Sequence, residues 1–157
     1  MPSVIKMDLD FQPESITEPL VIADSNNLIF CFLAVRANDD GFMHDCGLAV
    51  FRTKSCLIHK HGYPNDEAVI AHPLCQFGFD GFQICEVQNS NWIEDIEEQN
   101  SLIFPNSIYS DSFKHWIFPF KETTLEIIAK DIEWELSSES YDLVRANMLS
   151  WIADNES

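Results

Sequence analysis

The densest group of side chains that could do chemistry is the segment HKHGYPNDE at 59–67, which is followed shortly by one more histidine. His59 and His61 lie two residues apart, so on a β-strand they project from the same face. Imidazole together with carboxylate suits zinc, iron, nickel or manganese. This pattern makes His59, His61, Glu67 and His72 candidate ligands of a divalent transition metal.

The same segment resembles the first motif of the cupins, in which a His-x-His pair is followed after a short gap by a carboxylate. Here Asp66 and Glu67 follow at four and five residues. The second cupin motif does not follow, and the chain has only 5 Gly. A cupin-like site would therefore be degenerate, and ordinary histidines that face water at a strand end explain the segment more simply.

Other catalytic patterns are weaker. A contact between Glu67 and His72 would give a general base with an orienting carboxylate, but a histidine at a helix end also complements the helix dipole. We find no serine or cysteine in a strand-to-helix elbow. The glycines stand alone, without phosphate-loop or dinucleotide spacing. The sequence therefore predicts no covalent catalysis and no nucleotide cofactor.

Charge narrows the choice of partner. The 157 residues carry 26 Asp and Glu against 9 Lys and Arg, a formal net charge of −17. Between Lys60 and Lys114 there is no basic residue other than histidine, while nine carboxylates accumulate. Such a field repels nucleic acid and anionic membranes and attracts basic proteins. Solubility is the simpler explanation of the acidity; the alternative is that the field serves a partner, and we then expect a basic protein.

The N-terminus and the cysteines indicate a cytoplasmic protein. Charge returns too soon after Met1 for a signal peptide. The longest apolar run, Leu28 to Val35, is far shorter than the roughly 20 residues that span a bilayer. Cys31, Cys56 and Cys85 lie within or beside apolar stretches, where free thiols behave as small hydrophobes. The number of cysteines is odd and no Cys-x-x-Cys occurs, so we expect neither disulfides nor a zinc knuckle.

The elements that position these residues predict a single α+β domain over 1–157. The sheet is expected to be antiparallel or mixed, with two or three helices including a C-terminal one packed on it. Alternation and apolar runs predict strands at 5–11, 20–23, 28–35, 47–51, 55–58, 82–87, 115–120 and 125–136. Cap residues and periodicity predict helices at about 65–71, at about 91–99 and from Ser138 onward.

Two segments allow alternatives. Residues 123–136 fit a helical face or a strand; we favour a strand because apolar and acidic residues alternate over 131–136, with a bulge near Lys130. The run from Phe77 to Phe82 could line a ligand pocket or contribute to the core, and the core is the simpler reading. The C-terminal helix is expected to bury a stripe formed by Tyr141, Val144, Met148, Trp151 and Ile152.

Five short stretches resemble segments of small bacterial proteins of uncharacterised function. They are GYPNDEA at 62–68, HPL at 72–74, EVQNSNWI at 86–93, HWIF at 115–118 and ETTLE at 122–126. The resemblance implies a bacterial cytoplasmic setting. It carries no activity and no site residue.

We therefore expect a non-catalytic acidic binding protein that sequesters or neutralises a partner, as toxin-immunity proteins do. The alternative is a metal-dependent enzyme built around the histidine-rich segment.

Overall fold

The computed structural model describes residues 1–106 and 111–155. Within them the chain forms eight strands, two α-helices and two short 3-10 helices. The strands are β1 (Ser3–Lys6), β2 (Gln12–Pro13), β3 (Leu20–Ala23), β4 (Leu28–Ala37), β5 (Met43–Gly62), β6 (Cys85–Gln88), β7 (Lys114–Pro119) and β8 (Thr124–Ser137). The helices are α1 (Asn91–Ser101) and α2 (Tyr141–Asp154), and the 3-10 helices cover Val69–Ala71 and Pro73–Phe77.

All eight strands join in one antiparallel sheet. Its order is β1-β6-β7-β8-β5-β4-β2, and β3 also pairs with β4. β1 and β2 lie at opposite edges of this order, yet only residues 7–11 separate them. The six Cα–Cα steps from Lys6 to Gln12 reach at most about 22 Å, whereas seven strands laid flat are about 29 Å across, so the sheet must roll up until its two edges approach each other. Its concave face encloses the main core.

That core is rich in phenylalanine. The rings of Phe30, Phe51 and Phe118 lie 4.8–5.3 Å apart between centroids, in stacked and edge-to-face contacts. β4 supplies alternate residues to both of its faces, as expected for 28–35. Its even-numbered residues enter the main core, while Ile29 and Cys31 pack on the other face against α2.

The expectation of two strands at 47–51 and 55–58 is wrong, because β5 continues through the polar residues between them. Thr53 is buried, and its hydroxyl exchanges hydrogen bonds with the backbone of Leu28. A left-handed residue, Ser55 (φ 52°), and a register shift between Cys56 and Ile58 bend the strand without ending it. β5 therefore pairs along β8 from Leu48 to Gly62.

The ambiguous segment 123–136 is a strand, as predicted. β7 and β8, the strands predicted at 115–120 and 125–136, form a hairpin with the pairing ending at Pro119 and Thr124. The register shift lies on the partner strand β5 rather than at Lys130. The C-terminal helix is also confirmed, beginning at Tyr141 behind the cap residue Ser140. Val144 and Met148 are buried, whereas Tyr141 is 48% exposed and contributes less than its place in the predicted stripe suggests.

The other differences concern short elements. The predicted helix at 65–71 is a turn followed by the two 3-10 helices, because Pro73 prevents an α-helix from continuing. The strand predicted at 5–11 ends at Lys6 as part of β1. Phe11 lies beyond the strand but still enters the core. The strand expected at 82–87 begins at Cys85. The predicted α+β class is met by the sheet and the C-terminal helix, but the fold is mostly sheet.

Within the described residues, no helix is both long and apolar enough to cross a membrane.

Candidate functional site

The structure separates the predicted metal ligands. His59 and His61 pair across the ladder with Ile127 and Leu125, which belong to the main core. The residue between them, Lys60, pairs with Glu126. Because neighbouring residues on a strand project to opposite faces, the two histidines lie on the face opposite to Lys60. His61 is hydrogen-bonded to Thr123, 3.0 Å from Nε2 to Oγ1.

The remaining two candidates have different surroundings. Glu67 is exposed in the turn before the first 3-10 helix. His72 instead has both ring nitrogens engaged: the Leu74 N–H donates to Nδ1 at 3.0 Å, and Nε2–H donates to Glu126 at 3.1 Å. Metal binding by His72 would have to break one of these bonds. No group of three or more His, Cys, Asp or Glu among residues 1–106 and 111–155 is arranged to hold a metal ion.

Glu126 is the centre of a polar cluster on the sheet face that α1 and the 3-10 helices cover. Its side chain is 9% exposed. His115 donates from Nε2 to Oε1 at 2.9 Å, His72 donates to Oε2, and the Lys60 ammonium lies 3.7 Å from Oε2. Burial by itself raises the pKa of the Glu126 carboxyl, but the two histidine bonds and the Lys60 charge outweigh it. The pKa therefore lies well below its usual range, and the carboxylate is charged.

The cluster continues from His115 to the start of α1. Because His115 Nε2–H faces a carboxylate, Nδ1 is the acceptor nitrogen, and the Ser90 hydroxyl donates to it at 2.7 Å. Ser90 Oγ in turn accepts the Ile93 N–H and so caps α1. The cap is thus Ser90, one residue before the start of the helix predicted at about 91–99. A continuous chain of hydrogen bonds therefore runs from β8 through β7 into the helix N-terminus.

Trp92 ties α1 to the same cluster. Its ring contacts that of His115 edge to face, with 5.3 Å between centroids. The Lys60 ammonium lies 4.0 Å from the Trp92 ring centroid, within reach of a cation–π interaction. The first turn of α1 is thus held by one buried hydrogen bond and two ring contacts.

Two cavities border the cluster. One, of about 390 Å³, opens between Lys60, Tyr63, His72 and Glu126. The other, of about 380 Å³, lies on the far side, between β6 and α1, and Ser90 is part of its lining. Both are within the size range of small-molecule sites.

The outward side of α1 forms the α1 surface, which combines acidic and apolar groups. Leu102, Ile103 and Phe104, just beyond the last turn, are 81%, 74% and 59% exposed. Within the described residues, no ion pair is formed by the carboxylates of α1. The surface consists of Glu94, Asp95, Glu98, Leu102, Ile103 and Phe104.

Sequence reasoning missed Ser90, His115 and Glu126 as a group. Their separation along the chain hides them, because only strand pairing and the helix cap bring them together. One local signal was present: Glu126 is a single carboxylate within the apolar run LEII at 125–128. A buried strand rarely carries an ionised residue without a partner.

Comparisons with protein-family models, curated proteins and solved structures found no match for the chain.

Proposed function

We propose that the protein binds a basic protein partner through the α1 surface and acts by occupying that partner, in the manner of an immunity protein. The occupant is a segment that carries lysine or arginine beside apolar side chains. The observation that supports this most is the unpaired acidic face of α1, which continues directly into three exposed apolar residues.

Charge complementarity favours a basic partner. Glu94, Asp95 and Glu98 are exposed on α1. The nearest basic residues in the sequence are Lys60 and Lys114, and Lys60 is directed at Glu126 and Trp92 instead. Carboxylates without a basic neighbour attract a cationic partner during association and repel anionic ones.

The exposed apolar residues provide binding affinity that the charges alone do not. Exposed charge pairs contribute little to affinity, whereas buried apolar anchors dominate most protein interfaces. Leu102, Ile103 and Phe104 are available as such anchors at the end of the acidic helix. An acidic rim beside an apolar patch is suited to an amphipathic basic segment.

The buried cluster supports the same function by fixing the helix. Ser90 and Trp92 hold the start of α1 to His115 and Lys60. A surface carried by a rigid element loses less conformational entropy on binding than a loop does.

A titration with an amphipathic helical peptide, lysine on one face and leucine on the other, tests the proposal. We expect saturable binding that weakens with salt. Glu94→Lys combined with Glu98→Lys should weaken it by about tenfold or more, roughly 1.4 kcal/mol.

The matched control is Asp8→Lys with Asp39→Lys, which changes the net charge equally at two exposed positions away from α1. The control should change the dissociation constant by less than about threefold, because distant exposed charges are screened. Equal weakening by both double variants would show general charge attraction and contradict the proposal.

A cytoplasmic location is part of the proposal. It is supported by the buried thiols of Cys31, Cys56 and Cys85, whose pKa values burial raises to about 11. Two further expectations remain predictions. One is the bacterial setting that the sequence resemblance implies, and the other is the organisation of the chain as a single domain.

A further inference from the structure

We infer that Ser90, His115 and Glu126 form a nucleophilic site for acyl transfer from small carboxylic esters. The Ser90 hydroxyl donates to His115 Nδ1 at 2.7 Å, and His115 Nε2–H donates to Glu126 Oε1 at 2.9 Å. A hydroxyl, a base that can take its proton and a carboxylate that orients the base are the parts of an activated serine. The imidazole here presents Nδ1 to the serine and Nε2 to the acid, and either ring nitrogen can accept a proton.

The backbone around Ser90 makes a sharp strand-to-helix turn, which corrects the expectation that no serine lies in such an elbow. β6 ends at Gln88, Asn89 has a left-handed conformation (φ 54°), and Ser90 is directly followed by α1. Left-handed conformations are uncommon for residues other than glycine. The turn places Ser90 at the helix N-terminus, where first-turn N–H groups lack acceptors within the helix and favour negative charge. The N–H groups of Asn91 and Trp92 are therefore the donors available to an oxyanion.

The second cavity gives a substrate a route to the serine. Ser90 is 4% exposed and belongs to the lining of this cavity of about 380 Å³, which we therefore assign as the approach of the acyl group. Ser90 Oγ accepts the Ile93 N–H with one lone pair, which leaves its second lone pair for attack. The two carboxylates and one ammonium in the lining disfavour anionic substrates, so we assign neutral or amine-bearing esters. The lining includes Val87, Ile93, Phe113, Glu86, Glu94 and Lys114.

The reaction needs no further reactant except water. Ser90 Oγ bonds to the acyl carbon as its proton moves to His115 Nδ1, and Glu126 holds the resulting imidazolium through Nε2–H. The alcohol leaves with that proton, and an ester on Ser90 remains. Water then attacks the acyl carbon, gives a proton to His115, and the carboxylic acid is released as Ser90 regains its hydrogen.

A fluorophosphonate probe followed by peptide mass mapping tests the site on the full chain. The expected result is a covalent adduct on Ser90, together with hydrolysis of p-nitrophenyl acetate. Ser90→Asn should abolish both while it keeps a cap residue. Glu126→Gln should slow labelling by about 100-fold or more, because the base loses its orienting carboxylate.

Ser140→Ala is the matched control, since Ser140 caps α2 as Ser90 caps α1. It removes a cap hydrogen bond without touching the proposed site, and it should leave labelling and hydrolysis unchanged. If Ser90→Asn does not fold, the position of the adduct in the wild-type chain still shows whether Ser90 is the nucleophile. No adduct, or an adduct on another residue, would show that these side chains only hold α1 in place. This outcome is independent of peptide binding at the α1 surface.

Discussion

A carboxylate buried beside apolar side chains needs donors, and Glu126 obtains them from residues far apart in the sequence. His72, His115 and Lys60 converge on it from the 3-10 segment, β7 and β5. Removing the carboxylate leaves the buried N–H groups of His72 and His115 without their acceptor. The cluster is therefore expected to contribute strongly to stability.

Glu126→Gln should lower the free energy of unfolding by about 1.5–3 kcal/mol, because one of the two buried histidine N–H donors then faces an amide NH₂ instead of a carboxylate oxygen. Urea denaturation measures this. Glu133→Gln is the control, because Glu133 is exposed and pairs with Arg52 at the surface. Its cost should stay within about 1 kcal/mol. Similar losses in both variants would contradict a special role for Glu126.

Stability should also depend on pH through this residue. The pKa of Glu126 is lower in the folded chain than its ordinary value of 4.5. Its contribution is therefore present above pH 4.5 and is lost as the pH falls towards the folded-state pKa. Between about pH 5 and about pH 3 the wild type should lose stability more steeply than Glu126→Gln. Parallel curves from urea unfolding at each pH would overturn this assignment.

Binding of a divalent metal by individual histidines also remains a prediction. Any bound divalent metal should depend on His59 and His61, which share one face of β5. Elemental analysis of the purified wild type and of His61→Ala measures this, with loss of the metal expected in the variant. Full retention of metal by His61→Ala would exclude the pair.

Elements that follow local rules were predictable, and those that depend on distant partners were not. β3, β4, the β7–β8 hairpin and α2 follow from apolar runs, turn residues and caps. β5 did not, because polar residues interrupt the apolar pattern between 47–51 and 55–58, and pairing with β8 continues the ladder through Thr53 and Lys54. The Glu126 cluster is hidden for the same reason.

α2 should prove integral to the fold. Met148 is 1% exposed and packs with Ile29, Cys31 and Val50. Met148→Ala should cost about 2–5 kcal/mol, as large-to-small core substitutions do. Truncation after Ser137 should give unfolded or insoluble protein, because it uncovers that face of β4. Leu149→Ala, at an exposed position, should stay within about 0.5 kcal/mol. A folded truncated chain would show that α2 only rests on the sheet.

At the scale of the whole molecule, net charge predicts the kind of partner but not where it binds. A formal charge of −17 spreads over many carboxylates, and several of them pair with arginine or lysine. The structure separates these from the acids of α1. That distinction depends on tertiary structure and was not visible in the sequence.

Hydrogen exchange along the chain, with and without the lysine–leucine peptide, tests the central claim most directly. Binding at the α1 surface predicts slower amide exchange over residues 91–106, with α2 and the acidic end of β8 at 131–135 unchanged. Protection spread over α2 and β8 as strongly as over α1 would contradict the claim, because the peptide would then be following charge alone.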